Sequence, residues 1–245
     1  ERQKERYAQA STLKTVTRLY VNLAEPELAE RVAQRSVDGV GLLRAEFIVA
    51  QIGTHPRKFV EEGRASEYTR QIAEGLREFC RAFNPRPVVY RLTDFKTNEY
   101  ANLRGGIEYE ANEENPMIGY RGASRYIREP DIFRLEVDAI KQARAEFKNL
   151  YVMVPCVCTP AELKGVKQLL AEQGLIRSDE FKLWMMVEVP SNVIILDKFI
   201  DVGIDGISIG SNDLTQLVLG IDRDSEALAD TFDERNDAVM AAIQT

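Results

Sequence analysis

The sequence predicts an α/β fold, a TIM-type (β/α)8 barrel whose eighth strand is missing. Three observations lead there. Short apolar runs alternate with segments of helical spacing along most of the 245 residues. The runs are nearly continuous Val, Ile, Leu and Met, as strands covered by helices on both faces require. At least four of them end on a functional-looking side chain, which is the layout of a barrel's carboxyl-end face; an open doubly wound sheet would gather such residues at one switch point.

Taken in order, residues 1–14 are polar, lack a steady apolar period, and read as a linker or the end of an upstream helix. Residues 15–245 read as one barrel domain. Residues 19–23 form a first strand, and 25–35 a helix with Leu28 and Val32 four apart on one face. Residues 38–44 give a second strand ending in Arg44. Helical spacing then runs from 56 to 83 through Tyr68, Ile72 and Leu76, and Pro85 and Pro87 close it. Residues 88–91 form a third strand, which delivers Arg91. The stretch 98–116 is rich in Gly, Asn and Glu and reads as a long functional loop. A short strand is expected around Met117, just before Arg121. Helices at 130–147, 160–172, 191–202 and 233–243 and strands at 150–154, 181–187 and 204–209 complete the pattern, giving seven strands.

Composition narrows the function. With 44% hydrophobic and 29% charged residues the chain can bury a sizeable core behind a solvated surface. A net charge of -7 and a pI near 5.1 exclude a general nucleic-acid binder, which needs a basic stripe, so any bound anion must be met by a local arginine cluster. Cys80, Cys156 and Cys158 are odd in number and read as reduced thiols of a cytoplasmic protein. No run is long enough to span a bilayer. The single histidine, His55, reads as a solvated loop residue, so histidine chemistry must come from another domain or polypeptide.

The strand ends carry the chemistry. Glu188 and Asp213 leave neighbouring strands at the same end of the sheet. Mg2+ takes hard oxygen ligands, one or two protein carboxylates with water and substrate oxygens completing its shell. The competing reading has both acids merely starting helices. Arg44, Arg91 and Arg121 each offer a planar fork for phosphate or carboxylate, or else form three unrelated salt bridges. Lys96 can join them or pair with Asp94 at the surface. Gly210, Ser211 and Asn212 open a helix whose free N–H groups favour an anion, with Ser211 equally readable as its N-cap. Arg223 either adds a cation to the site or pairs internally with Asp222. Walker and dinucleotide glycine loops, zinc spacings and the two-residue dithiol motif are all absent.

Five stretches, taken together, resemble the phosphoenolpyruvate-utilising enzymes, nearest to their pyruvate, water dikinases. They are residues 39–47 (Gly-Val-Gly-Leu-Leu-Arg-Ala-Glu-Phe), 91–100, 115–122, 187–192 and 210–216, in family order and register. The resemblance implies a barrel for the pyruvate half-reaction. There a phosphoryl group carried on a histidine of a separate swivelling domain passes to the enolate of pyruvate, giving phosphoenolpyruvate; in the intact enzyme ATP, pyruvate and water yield AMP, phosphoenolpyruvate and phosphate. It also implies Mg2+ on Glu188 and Asp213, a phosphoryl clamp of Arg44, Arg91 and Arg121, and a substrate lining of Gly210, Ser211 and Asn212. Its implied partners are an ATP-grasp domain, the phosphohistidine domain and further copies in a homo-oligomer. The family's proton-donating cysteine falls beyond Thr245, and none of the three cysteines occupies its motif. Cys156 and Cys158 stand where such synthases usually carry an aromatic residue and an arginine. Two other functions fit the same barrel: a magnesium-dependent pyruvate-enolate lyase or aldolase, and a non-catalytic metabolite-binding or oligomerisation module.

Overall fold

A computed structural model describes residues 15–245, so the expectation for residues 1–14 lies outside the described residues. Six parallel strands, β1 (Tyr20–Leu23), β2 (Gly39–Arg44), β3 (Val88–Arg91), β4 (Leu150–Val154), β5 (Leu183–Val187) and β6 (Gly206–Ile209), follow one another in sequence order across a single sheet. The sheet curls into a half-barrel with helices outside it. Among the described residues it does not close, and β1 and β6 are its edges. The expected strand near Met117 is absent. Pro116–Ile118 form a 3-10 turn, because Pro116 cannot donate to a ladder and its ring presets a turn.

Alternation along the strands sorts side chains to two faces. Leu43, Tyr90, Val152 and Met185 lie in the main core with the helices Ala65–Phe83 and Pro130–Glu146, which pack along one another. Leu42, Val89, Met153 and Met186 form a smaller cluster on the other face. Ile72, Leu76, Phe79 and Phe83, at helical spacing, are fully buried. Each contributes about 2 kcal/mol of burial, enough to hold the long helix rigidly behind β3.

Four expected helices begin or break at identifiable residues. The segment 56–83 is two helices, Pro56–Glu61 and Ala65–Phe83, separated at Gly63, whose φ of 70° a side chain resists. The segment 25–35 starts as a 3-10 turn at Pro26–Leu28 before the helix Ala29–Ala33. The segment 191–202 divides at Ile195 into Pro190–Ile194 and Leu196–Asp201. The last helix, Asp237–Gln244, starts later than expected, where Asn236 Oδ1 accepts from Ala238 N–H at 2.9 Å.

His55 is not a solvated loop residue. It is 1% exposed, caps Pro56–Glu61 by accepting from Arg57 N–H at Nδ1, and donates from Nε2 to Glu110 Oε1 at 3.0 Å. Arg125 grips both oxygens of Glu110 at 2.7 Å, and although burial opposes them the hydrogen bonds from His55 and Arg125 hold that carboxyl below its usual range. The stretch 98–116 reaches the candidate site through Glu99 and is otherwise braced: Glu110 ties it to His55 and Arg125, while Glu113 accepts from Thr97 and Tyr120. None of residues 100–116 lines the cleft described next.

Candidate active site

A cleft of about 770 Å³ opens at the carboxyl ends of the strands. Arg44 and Arg91, the last residues of β2 and β3, are register partners, so two guanidinium groups start side by side. Val187 and Ile209 are likewise partners on β5 and β6, which brings Glu188 and the Gly210–Asp213 turn to the same mouth. Oxygens of Glu188, Asp213 and Asp94 lie within 4.8 Å of one another.

Local chemistry explains why Glu188 faces the cleft. The helix after it is capped by Asn192, whose Oδ1 accepts from the N–H groups of Glu188 and Val189 at 3.2 and 3.0 Å. The capping duty considered for Glu188 thus falls to Asn192, and the carboxylate is left for the cleft. Its Oε1 accepts from Cys156 N–H at 2.6 Å. Gly210 gives it room: a Cβ there would stand 2.6 Å from Glu188 Oε2. Burial, together with Asp94 and Asp213, pushes Glu188 up to about 8. Three converging carboxylate oxygens in a largely buried site repel one another, which a cation placed among them relieves.

Asp213 does more than open a helix. Arg121 reaches its Oδ2 at 3.0 Å and Arg223 its Oδ1 at 2.8 Å, so both oxygens are oriented by guanidinium groups. Arg223 therefore belongs to the cleft, although it does so through Asp213. Arg121 follows a turn rather than a strand and is buried, gripping Asp94 bidentately at 3.0 and 2.6 Å. Burial alone would depress this guanidinium, but Asp94 outweighs it and holds the charge firmly. Arg91 meets Glu46 at 3.0 Å and Asp94 at 3.8 Å, and its Nε is buried without a partner. Arg44 is exposed and, among the described residues, makes no ion pair. Ser211 is not the helix cap; that position is Gly210, and Ser211 Oγ donates to Glu234 at 3.1 Å. Asn212 is exposed at the rim. Lys96 approaches Glu99 at 3.6 Å and Met117 Sδ at 3.2 Å rather than pairing with Asp94.

Two acids escaped the sequence reading. Asp94 is almost fully buried beneath Arg91 and Arg121, and Glu46 accepts from Asp94 N–H at 2.7 Å while pairing with Arg91. A third, Glu136, sits deeper. Its Oε1 takes hydrogen bonds from Tyr90 OH, Thr93 N–H and Thr93 Oγ, which fixes the turn carrying Asp94. Burial pushes Glu136 up to about 7 despite those donors. Asp94 and Glu46 do lie within the resemblance motifs, each two or three residues from an arginine, but nothing local marks them as buried.

Five basic and six acidic side chains line the cleft. Such a balance holds no anion by itself. A divalent cation seated on oxygen donors tips it toward an anionic ligand, and an all-oxygen set suits Mg2+.

In fold, the chain resembles a HpcH/Hpal aldolase/citrate lyase family protein from Burkholderia cenocepacia, with a TM-score of 0.51 at 17% identity over 92% of this chain and 72% of that one. Fold and cleft thus define an α/β barrel-type protein with an acidic, arginine-rimmed site at its carboxyl end. The family model described as PEP-utilising enzyme, PEP-binding domain matches residues 1–245, and the chain belongs to that family. It is 51% identical over 239 residues to the phosphoenolpyruvate synthase of Aeropyrum pernix, covering 94% of this chain and 29% of that relative. It is 42% identical over 251 residues to the phosphoenolpyruvate synthase of Escherichia coli, covering 92% of this chain and 32% of that relative. The chain therefore spans under a third of the length of these curated relatives. No helix among the described residues is long and apolar enough to cross a membrane.

Proposed function

We propose that residues 15–245 form the phosphoenolpyruvate/pyruvate-binding barrel of a dikinase, in which a phosphoryl group from a phosphohistidine on another domain is passed to pyruvate enolate. The observation that carries this reading is the convergence of Glu188, Asp213 and Asp94 with Arg44 and Arg91 at one mouth. Glu188 and Asp213 would hold Mg2+, which when bound would stabilise negative charge on the enolate oxygen and on the carboxylate.

The chain's own residues divide the rest of the work. Arg44, unpaired and exposed, and Arg91, with a free buried Nε, hold the phosphoryl oxygens as charge spreads over them. Arg121 and Arg223 act through Asp213, fixing the direction of its oxygens, and Arg121 supplies further positive potential. Gly210 lets the backbone approach Glu188, and the first turn of Ser211–Leu219 presents N–H groups to the ligand carboxylate. Phosphoryl transfer asks a protein mainly for positioning and charge stabilisation, and this cleft supplies both.

The test is calorimetric titration of the chain with phosphoenolpyruvate at saturating Mg2+. Glu188→Gln and Asp213→Asn should each weaken binding at least tenfold, about 1.4 kcal/mol. Equal affinities in all three proteins, or binding indifferent to Mg2+, would overturn the reading.

A further inference from the structure

Beside the cleft lies a feature that the proposed function does not use. The turn after β4, Val154-Pro155-Cys156-Val157-Cys158-Thr159, carries two cysteines one residue apart. Val157 is fully buried and anchors the turn, with one cysteine on either side of it. The two thiols lie close enough across the turn to act on one another electrostatically. Cys158 is exposed and Cys156 half-buried, whereas Cys80 is sealed in the core.

This turn is laced to the metal-binding side of the cleft. Cys156 N–H donates to Glu188 Oε1 at 2.6 Å, Asn192 Nδ2 donates to Val157 O at 2.7 Å, and Ser191 Oγ donates to Cys158 O at 2.8 Å. On its far side the turn abuts the residue after Arg121. A Cβ on Gly122 would come 2.6 Å from Cys156 Cβ and 2.8 Å from Pro155 O. Cys156 itself holds a φ of 47°, a left-handed conformation that a side chain adopts only under such constraint.

We propose that Cys156 and Cys158 form a reversible dithiol–disulfide site, oxidised by small-molecule disulfides, whose closure withdraws the Cys156 N–H from Glu188. In the first step the exposed Cys158 sulfur, as thiolate, attacks one sulfur of the reagent, forming a mixed disulfide and expelling a thiolate that takes up the proton. In the second, Cys156 sulfur attacks Cys158 sulfur, expelling the second reagent thiol together with the proton Cys156 gave up. Two protein thiols lose two electrons and two protons; one reagent disulfide gains them and leaves as two thiols.

The coupling to Glu188 is steric. A disulfide is about 2.05 Å long, far shorter than the approach of two unbonded sulfurs, so closure must draw the two residues together. The Gly122 backbone packs close against Cys156, and Val157 is pinned in the core. Cys158 is held at both backbone groups, its N–H on Glu162 Oε2 at 2.7 Å and its carbonyl on Ser191 Oγ at 2.8 Å, so closure strains the Cys156 peptide, whose N–H is the group on Glu188.

The experiment equilibrates the chain with reduced and oxidised glutathione, quenches by alkylation and maps the peptides. An internal Cys156–Cys158 disulfide is expected, reversed by dithiothreitol, with Cys80 unmodified until denaturation. A stable glutathione adduct on Cys158, or two free thiols under oxidising ratios in the folded chain, would overturn the site. Amide hydrogen exchange at Cys156 reads the coupling: at least tenfold faster in the oxidised form, and indifferent to glutathione in Cys158→Ser or Cys158→Ala. Equal exchange in oxidised and reduced chain would overturn the link to Glu188. Neither readout requires a substrate, so either can fail while the proposed function stands.

Discussion

Glu136 offers the clearest separation of structure from substrate, since it touches no residue of the cleft rim yet fixes the turn that bears Asp94. Its carboxyl is fully buried behind β3, with Tyr90 and Thr93 on one oxygen, and burial pushes it up to about 7. Tyr68, Tyr100 and Tyr126 surround it, and Glu46 is the nearest other acid acting on it. A raised carboxyl means that the folded chain binds the proton more tightly than the unfolded one. Its contribution is therefore fully present below the unfolded value of about 4.5 and is lost as pH rises through about 7. The displacement corresponds to roughly 3 kcal/mol. Glu136→Gln keeps the accepting oxygen and never ionises, so it imitates the protonated side chain at every pH. Urea unfolding of both proteins between about pH 4 and about pH 8 should show near-equal stability at the acid end. At the basic end the variant should be more stable by about 3 kcal/mol. Taking the difference between the two proteins cancels Glu188, Glu110 and Asp205, which titrate in both. Parallel stability curves, or a variant weaker at the basic end, would refute the claim that Glu136 is buried at a cost its three donors only partly offset.

Three further outcomes follow from the cleft. Asp94→Asn removes one charge from the buried bidentate pair with Arg121 and should cost about 3 kcal/mol in urea unfolding; a loss no larger than that of a surface pair would show the charge to be solvated. Gly210→Ala drives a methyl group to 2.6 Å from Glu188 Oε2 and should lower phosphoenolpyruvate affinity in Mg2+ at least tenfold with an unchanged circular dichroism spectrum; wild-type affinity would mean the carboxylate has slack. Arg44→Ala deletes an unpaired, exposed side chain and should leave stability within about 0.5 kcal/mol. It should weaken phosphoenolpyruvate at least tenfold and spare pyruvate, and equal losses for both ligands would place Arg44 on the carboxylate instead of the phosphoryl group.

Read from sequence, the strand ends were the informative places. An arginine or acid closing a Val/Ile/Leu run declares itself because the strand period and the buried sheet leave it one place to go, the carboxyl-end mouth. That is why Arg44 and Arg91 prove to be register partners and why Glu188 meets Asp213. Residues whose meaning depends on what the chain brings from afar were opaque. His55 looked solvated, since nothing near it in sequence announces Glu110 fifty-five residues on. Asp94 looked like the partner of nearby Lys96, and only folding sets Arg121 on it. The Met117 strand failed for a local reason, Pro116, that hydrophobicity alone had outvoted.

By itself, then, the sequence determined the alternation of strand and helix, the end of the sheet that carries the chemistry, and the residue types gathered there, because backbone periodicity and apolar burial are local or nearly so. Tertiary structure decided which charges are neutralised by which. Asp213 stands between two guanidinium groups, Asn192 relieves Glu188 of capping, and Cys156 lends it an N–H, all across gaps of sequence that no pattern spans. Electrostatic and hydrogen-bond partnership depends on distance in space and on the exclusion of water, and only the folded chain sets either.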